Sequence, residues 1–102
     1  MESQIKIIFH GHYRTATKKR EIVEQIKPGQ TTIGGIIKRL ADEYGSEFNG
    51  LIDYDTEQIS NDALIMVNGK GIRSPQATLQ HEDIVVFTVP IGGGIILSKT
   101  KG

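Results

Sequence analysis

The sequence predicts a single α+β domain in which a mixed sheet of four to five strands packs on one main helix. Two observations predict this fold: one segment of the 102-residue chain carries a helical apolar stripe, and short runs rich in β-branched residues flank it on both sides. One amphipathic helix can cover only one face of one sheet. We therefore expect one domain over residues 1–94, followed by a tail at residues 95–102.

The first two strands are predicted at residues 5–10 and 21–27, where β-branched and apolar residues are concentrated. The residues between them, 11–20, are polar and basic, and we predict that they form the connection of a hairpin. This connection is too short for a helical crossover, so the two strands are expected to be antiparallel neighbours.

The clearest helix is predicted directly after Thr32, whose hydroxyl is a suitable N-cap. Gly45 follows the last periodic residue, at the position where a left-handed cap is expected. Gly34 and Gly35 in the first turn lower the helix propensity by about 1–2 kcal/mol relative to alanine. A close approach between the helix and the sheet would explain this pair. The apolar stripe consists of Ile33, Ile36, Ile37, Leu40, Ala41 and Tyr44.

The remaining strands are predicted at residues 63–67, 71–74 and 84–89, after an irregular stretch with a short helical turn at 46–61. Asn68-Gly69 predicts a hairpin, because a type I′ turn needs positive φ at both central residues. The last strand is apolar on both faces, which predicts a central position in the sheet. A mixed sheet wrapped around one helix is the β-grasp architecture. Its uncovered face is expected to carry apolar residues, among them Ile8 and one side of the last strand, as a partner surface.

Composition excludes several classes of function. Twelve basic and twelve acidic residues cancel, so no global field attracts nucleic acid or an anionic membrane. The chain has no cysteine, which excludes disulfides, thiolate zinc sites and a cysteine nucleophile and fits a cytoplasmic protein. It has no apolar run long enough to span a bilayer. It also has no P-loop pattern, so we expect it to bind no ATP of its own.

Four short segments occur in a characteristic order along the chain. They are Thr32-Ile33-Gly34 at the helix start, Met66-Val67-Asn68-Gly69-Lys70 at a strand end, Leu79 and Asp83 before Val85–Phe87, and Val89-Pro90-Ile91-Gly92-Gly93-Gly94. Their order and spacing resemble the β-grasp sulfur carriers of the MoaD/ThiS type, which include the small subunit of molybdopterin synthase, and also the small archaeal ubiquitin-like modifiers. The resemblance extends over residues 5–94, nearly the whole chain.

The resemblance implies a carrier that is not itself an enzyme. It implies that a ubiquitin-activating-type adenylyltransferase uses ATP to adenylate the carboxylate of Gly94, which then becomes a thiocarboxylate, with Gly93 as its neighbour. The loaded arm then enters a large synthase subunit, as in molybdopterin synthesis, or is joined to a lysine of a target protein. Pro90, Ile91 and Gly92 are the expected partner-binding residues. No cofactor and no metal is expected on the chain itself.

Physical arguments support a glycine arm independently of the family. An arm that enters a narrow channel must lack bulky side chains and must adopt backbone conformations closed to other residues. Pro90 would stiffen the exit from the sheet, because its ring fixes φ.

The sequence departs from the carrier pattern at one point. Gly94 is followed by residues 95–102, so it carries an amide where a carrier needs a carboxylate, and an amide cannot be adenylated. Three explanations are open. A processing protease removes residues 95–102; or the chain is a non-catalytic β-grasp interaction module that keeps them; or they were added by cloning.

Other clusters of polar residues have simpler interpretations. Four cations at residues 14–20 could dock an acidic partner or nucleic acid, or form a solvated loop. Residues 92–94 could cradle a phosphate only with a helix behind them, which residues 95–97 do not indicate. The histidines and the acidic residues at 53–57 are interpreted as surface polar groups, because metal-ligand spacing is incomplete in both. The residues concerned are Arg14, Lys18, Lys19, Arg20, His10, His12, His81, Asp53, Asp55 and Glu57.

Overall fold

The computed structural model describes residues 2–90. Within them the chain forms two helices and seven strands, and the last five strands follow the second helix. No helix in this part of the chain is long and apolar enough to cross a membrane. In chain order the elements are β1 (Ser3–Phe9), α1 (Gly11–Thr17), β2 (Glu21–Ile26), α2 (Ile33–Tyr44), β3 (Ile52–Asp53), β4 (Gln58–Ile59), β5 (Leu64–Val67), β6 (Lys70–Ile72) and β7 (Ile84–Thr88).

Five of the strands form one mixed sheet in the order β2-β1-β7-β5-β6. The pairs β1–β2, β5–β7 and β5–β6 are antiparallel, whereas β1 and β7 are parallel. The antiparallel pairing of the first two strands and the central position of the last strand are therefore confirmed. The α+β class and the mixed sheet around one long helix are confirmed as well.

The connection at residues 11–20 joins the antiparallel strands β1 and β2, as predicted, but it contains a helix that was not predicted. Gly11–Thr17 forms the short helix α1, which ends at Lys18 in a left-handed conformation with φ 60°. Tyr13 is fully buried, with its ring centroid 5.4 Å from that of Phe48 and 5.9 Å from that of Phe87. The helix therefore forms because one large side chain packs in the core, and a single apolar residue gives no periodic signal in the sequence.

Residues 46–61 were predicted to be irregular, but they contain the two-stranded sheet β3–β4. Each strand has two residues, paired as Ile52 with Ile59 and Asp53 with Gln58. Strands this short show no alternation in sequence. Phe48, at the start of the segment, is completely buried, so the connection is anchored in the core rather than lying loosely on the surface.

Helix α2 has the predicted N-cap, because Thr32 Oγ1 accepts a hydrogen bond from the backbone N–H of Gly35 at 3.0 Å. Its buried stripe packs on one face of the sheet with alternate residues of β1, β5 and β7, including Ile7, Ile65 and Phe87. Gly45 ends the helix with positive φ but ψ −146°, so the expected left-handed cap is wrong in detail. Its N–H still bonds the carbonyl of Ala41 at 2.9 Å.

The Asn68-Gly69 turn adopts positive φ at both positions, 52° and 85°, as predicted. Asn68 also holds the start of β7. Its Oδ1 accepts a hydrogen bond from the N–H of Ile84 at 2.9 Å, and its Nδ2 donates to Asp83 Oδ1 at 2.8 Å. The turn therefore fixes the position of the strand from which the C-terminal arm continues.

Of the two glycines in the first turn of α2, only Gly34 lies where a side chain would be too close to a neighbouring segment. A Cβ on Gly34 would lie 3.1 Å from the carbonyl oxygen of Pro75 and 3.3 Å from its Cβ, and the N–H of Gly34 donates to that same oxygen at 2.8 Å. The close neighbour is the segment between β6 and β7, and not the sheet itself as expected. A Cβ on Gly35 would meet nothing nearer than Thr32 Oγ1, at 3.4 Å.

This difference predicts opposite effects for the same substitution at adjacent residues. Gly35→Ala is expected to raise the free energy of unfolding by about 0.5–1 kcal/mol, because alanine is the better helix former. Gly34→Ala is expected to lower it by about 1–2 kcal/mol, because the new methyl group presses on the Pro75 backbone. Urea unfolding of the two variants measures both effects. Equal stabilisation of both would show that the contact with Pro75 imposes no constraint.

Candidate functional site

The candidate site lies at the edge of the sheet where β7 ends, two residues before the last described residue, Pro90. Strands β1 and β7 run parallel, with Phe9 opposite Phe87, so both end at this edge. The N–H of His10 donates to the carbonyl of Phe87 at 3.0 Å, which places the start of α1 against the end of β7. Val89 still packs against the core, whereas Pro90 is exposed. The described residues therefore end at the surface of the fold, at Pro90.

Five aromatic rings hold this edge together. Phe48 is at the centre of the group, with ring centroids 5.4 Å from Tyr13, 5.7 Å from Phe87, 5.9 Å from Phe9 and 6.2 Å from Tyr44. Several of these pairs are edge-to-face, the arrangement that aromatic quadrupoles favour. The cluster joins α1, the end of α2 and β7, so the end of β7 is packed against both helices through aromatic side chains.

Tyr13 is the titratable group whose surroundings change its ionisation most clearly. Burial raises the pKa of its phenol above the ordinary value, and the negative charges of Glu47 and Asp62 raise it further. The phenol therefore stays neutral over the physiological range. It serves this edge as a packed aromatic group and not as a general base.

The face of the sheet opposite α2 carries an apolar band, as predicted. Register places Ile8, Val86 and Met66 side by side across β1, β7 and β5, and all three are partly exposed. Leu64, opposite Thr88, extends the band towards the edge where the arm leaves. We call these four apolar residues, Ile8, Leu64, Met66 and Val86, the sheet-face patch. Exposed, contiguous apolar surface of this kind is typical of sites that bind another protein.

A second apolar area adjoins the sheet-face patch at its far end. Val23 and Ile84 lie on either side of Lys6 in the register and are 54% and 42% exposed, high values for aliphatic side chains. Together with Gln4 and Glu82 they line an open depression of about 240 Å³. Alternation within β2 and β5 could have predicted from the sequence that Val23 and Met66 face away from the core. Only the register of the strands shows that they share a face with Ile8.

Of the expected arm residues, the structure describes Pro90 alone. Ile91, Gly92, Gly93 and Gly94 lie outside the described residues, as do residues 95–102. Pro90 is exposed and follows β7 after one residue, and its expected role in partner binding remains a prediction. The roles expected for the four residues that follow it remain predictions.

The histidines do not come together. His10 occupies the N-cap position of α1 without a side-chain hydrogen bond, and His12 lies within this helix. His81 lies in the loop before β7, where its Nδ1 accepts from the N–H of Gln4 at 3.2 Å. Within residues 2–90, no group of three His, Cys, Asp or Glu side chains could hold a metal ion.

The acidic residues at 53–57 form the turn between β3 and β4. Asp53 Oδ1 accepts hydrogen bonds from the N–H groups of Asp55 at 2.9 Å and Thr56 at 3.4 Å. This pattern is a side-chain-stabilised turn. It gives Asp53 a structural role and keeps the other carboxylates in solvent.

Comparison with solved structures shows the same fold at low sequence identity. The HVO 2177 protein of Haloferax volcanii superposes with a TM-score of 0.73 at 19% identity, covering 91% of this chain and 88% of that one. The small archaeal modifier protein 1 of Methanosarcina acetivorans gives 0.70 at 18%, covering 92% and 99%. A Pyrococcus furiosus protein described as molybdopterin converting factor subunit 1 gives 0.66 at 20%, covering 87% and 99%. No curated protein sequence matches the chain significantly.

The five-stranded mixed sheet packed on the long helix α2 defines a β-grasp, ubiquitin-like fold. The sequence model of the ThiS family matches residues 7–94, from β1 through the third consecutive glycine. The chain therefore belongs to the ThiS family, among the β-grasp sulfur carriers and ubiquitin-like modifiers. The family predicted from the four segments is confirmed.

Proposed function

We propose that this protein carries sulfur as a thiocarboxylate on Gly94, or is joined through Gly94 to a lysine of a target protein, after a protease has removed residues 95–102. One observation supports this most directly. The central strand β7 is paired on both sides within the sheet and is followed, after Val89, by an exposed Pro90, and the sequence continues Ile91-Gly92-Gly93-Gly94. Pro90, Ile91 and Gly92 are the residues that the proposal assigns to partner binding. The family match ends at the same third glycine, residue 94.

The free carboxylate of Gly94 is a poor electrophile, so the proposed chemistry begins with its activation. A carboxylate oxygen of Gly94 attacks the α-phosphorus of ATP and displaces pyrophosphate, which leaves an acyl adenylate. Hydrosulfide then displaces AMP, loses its proton and yields the thiocarboxylate, or a lysine amine displaces AMP, loses a proton and yields an amide. The ATP is bound by a partner adenylyltransferase of the ubiquitin-activating type. The loaded arm is then used by a larger synthase subunit or remains on the target protein, and the cytoplasm supplies ATP and reduced sulfur.

The second candidate function is a non-catalytic interaction module that keeps residues 95–102. The amide bond between Gly94 and Ile95 in the encoded chain favours it, because an amide cannot be adenylated. The sheet-face patch would serve either function. The two candidates therefore differ at Gly94 and not in the fold.

Intact mass spectrometry of the protein from its native host tests the proposal. The expected mass is that of a chain ending at Gly94. A matched variant, Ile95→Pro, places a tertiary amide after Gly94 that most proteases cannot cleave, so the longer chain should accumulate and the acyl adenylate should not form. A native population that continues past Gly94 and keeps full biological activity would establish the interaction module instead.

A further inference from the structure

The helix α1 and the residues after it carry four cations that the sheet and the arm do not use. Arg14, Lys18, Lys19 and Arg20 are all exposed. Among residues 2–90, none of them lies within salt-bridge distance of a carboxylate; the ion pairs there involve Lys6, Arg39 and His81. We call residues 14–20 the basic segment. Its positive charge is therefore not neutralised by the described part of its own domain.

The basic segment is held in a fixed conformation. The buried Thr17 hydroxyl lies 3.1 Å from both the N–H and the carbonyl oxygen of Lys19. The carbonyl of Arg20 accepts from the N–H of Phe9 at 2.9 Å, and Lys19 Nζ lies 5.8 Å above the ring of Tyr44. A segment ordered in this way loses little conformational entropy when it docks.

Lys18 occupies a conformation that its side chain disfavours. It ends α1 with φ 60° and ψ 25°, and its N–H bonds the carbonyl of Arg14 at 2.8 Å. Glycine is the usual residue at this left-handed position, because a Cβ is strained there. A cation is thus present where local stability favours glycine, and strain of this kind is often retained for function.

The basic segment adjoins the exit of the arm. Arg14 and Arg20 line an open depression of about 300 Å³ together with Ile8, His10 and Glu21. His10 is bonded to Phe87, from which Pro90 is three residues away, a distance of at most about 10 Å along an extended chain. Ile8 belongs to the sheet-face patch. Any protein that covers this patch and takes up the arm therefore faces the basic segment as well.

We propose that the basic segment docks on an acidic surface of the adenylyltransferase, beside the channel through which that partner accepts the arm. This rests on the proposed function. A protein surface fits better than nucleic acid, because Tyr13 is buried and offers no ring on which a base can stack. The balanced net charge of the chain also argues against a polyanion. Charge pairs at the rim of an interface chiefly increase association and make it sensitive to salt.

The test compares two triple variants of the chain that ends at Gly94. The first variant alters the charged patch formed by the basic segment, and not the sheet-face patch; this patch variant carries Arg14→Gln, Lys18→Gly and Arg20→Gln. The control carries Lys27→Gln, Lys38→Gln and Lys70→Gln, at three exposed lysines that make no ion pair among residues 2–90. Both lose three charges. Lys18→Gly removes the strain of a lysine in the left-handed conformation. The melting temperature of the patch variant should therefore be no lower than that of the control.

The readout is ATP–pyrophosphate exchange by the host adenylyltransferase. This enzyme is identified by its ability to charge the chain that ends at Gly94 and carries no substitution, called the unmodified chain below. The patch variant should need about tenfold more carrier for half-maximal exchange, with an unchanged maximal rate, while the control shifts less than about twofold. Raising NaCl from about 50 to about 250 mM should weaken the unmodified chain more than the patch variant.

If the carrier concentration for half-maximal exchange shifts equally in the two variants, or in neither, the docking proposal is overturned. Exchange by the unmodified chain would still support the carrier function. No exchange by the unmodified chain with any host enzyme would overturn both. Binding to a 20-nucleotide RNA or DNA duplex is measured as well. If the unmodified chain binds the duplex and the patch variant does not, while the patch variant shows normal exchange, the basic segment binds nucleic acid and the proposal is overturned.

Discussion

Phe48→Ala is expected to lower the free energy of unfolding by about 3–5 kcal/mol, the usual loss when a buried phenylalanine is truncated. Phe48 is completely buried and its ring lies within 6.2 Å of four other aromatic rings, centroid to centroid. Truncation leaves a cavity at the point where α1, α2 and β7 meet. Because small domains are stable by only about 5–15 kcal/mol, the variant should lose a large share of its stability.

Urea unfolding followed by circular dichroism measures this loss. The matched control is Tyr54→Ala, an aromatic truncation in the same connection between α2 and β5, at a side chain that is 82% exposed. Its effect should stay within about 0.5 kcal/mol. A loss at Phe48 no larger than that at Tyr54 would show that the connection does not anchor the aromatic cluster.

The Phe48 substitution has a second consequence, at the candidate site. Phe48 contacts the rings of Tyr13 on α1 and Phe87 on β7, the two elements between which the arm leaves the sheet. Hydrogen exchange at the His10 amide, which bonds Phe87, should therefore be faster in Phe48→Ala than in Tyr54→Ala. A loop residue thus supports the base of the arm.

The sequence could predict those elements whose signals are local. Helix α2 has its cap at Thr32 and its stripe within twelve residues, and the Asn68-Gly69 turn depends on the φ preferences of two adjacent residues. The central position of β7 follows from side chains that are apolar on both faces. Each of these signals acts within one element, so no knowledge of distant contacts is needed.

The features that the sequence could not predict depend on distant contacts. Helix α1 exists because Tyr13 packs against Phe48 and Phe87, residues more than thirty positions away in the chain. Gly34 is required by Pro75, which is forty-one positions further on. The sheet-face patch can be identified only when the register of the three strands β1, β7 and β5 is known. Such contacts combine residues that carry no shared pattern in the sequence.

The candidate site was predicted from a different kind of signal. A run of three glycines after a central strand indicates an arm through the conformations it permits and the side chains it lacks, and neither property requires a fold to be known. The structure adds what surrounds the exit: an exposed Pro90, the sheet-face patch and the basic segment. The roles of Gly93 and Gly94 remain predictions that a charging experiment must test.

Deleting Gly94 from the chain that ends there is expected to abolish formation of the acyl adenylate. The deletion moves the carboxylate back by one residue, about 3.3–3.6 Å of extended chain, and out of reach of the α-phosphorus when the domain is docked. Gly94→Ala should lower the rate at least about 100-fold, because a methyl group in a narrow channel displaces the reacting atoms. Neither change touches the core, so the free energy of unfolding should stay within about 0.5 kcal/mol.

Gly35→Ala is the matched control, since it makes the same chemical change on an exposed turn of α2, away from the arm. It should charge at the normal rate and unfold at a slightly higher urea concentration. Adenylation is followed by ATP–pyrophosphate exchange with the host adenylyltransferase. If Gly94→Ala and the deletion both keep normal activity, the covalent role of the arm is excluded and the interaction module remains, because a module that binds through the sheet-face patch does not depend on the residue at position 94.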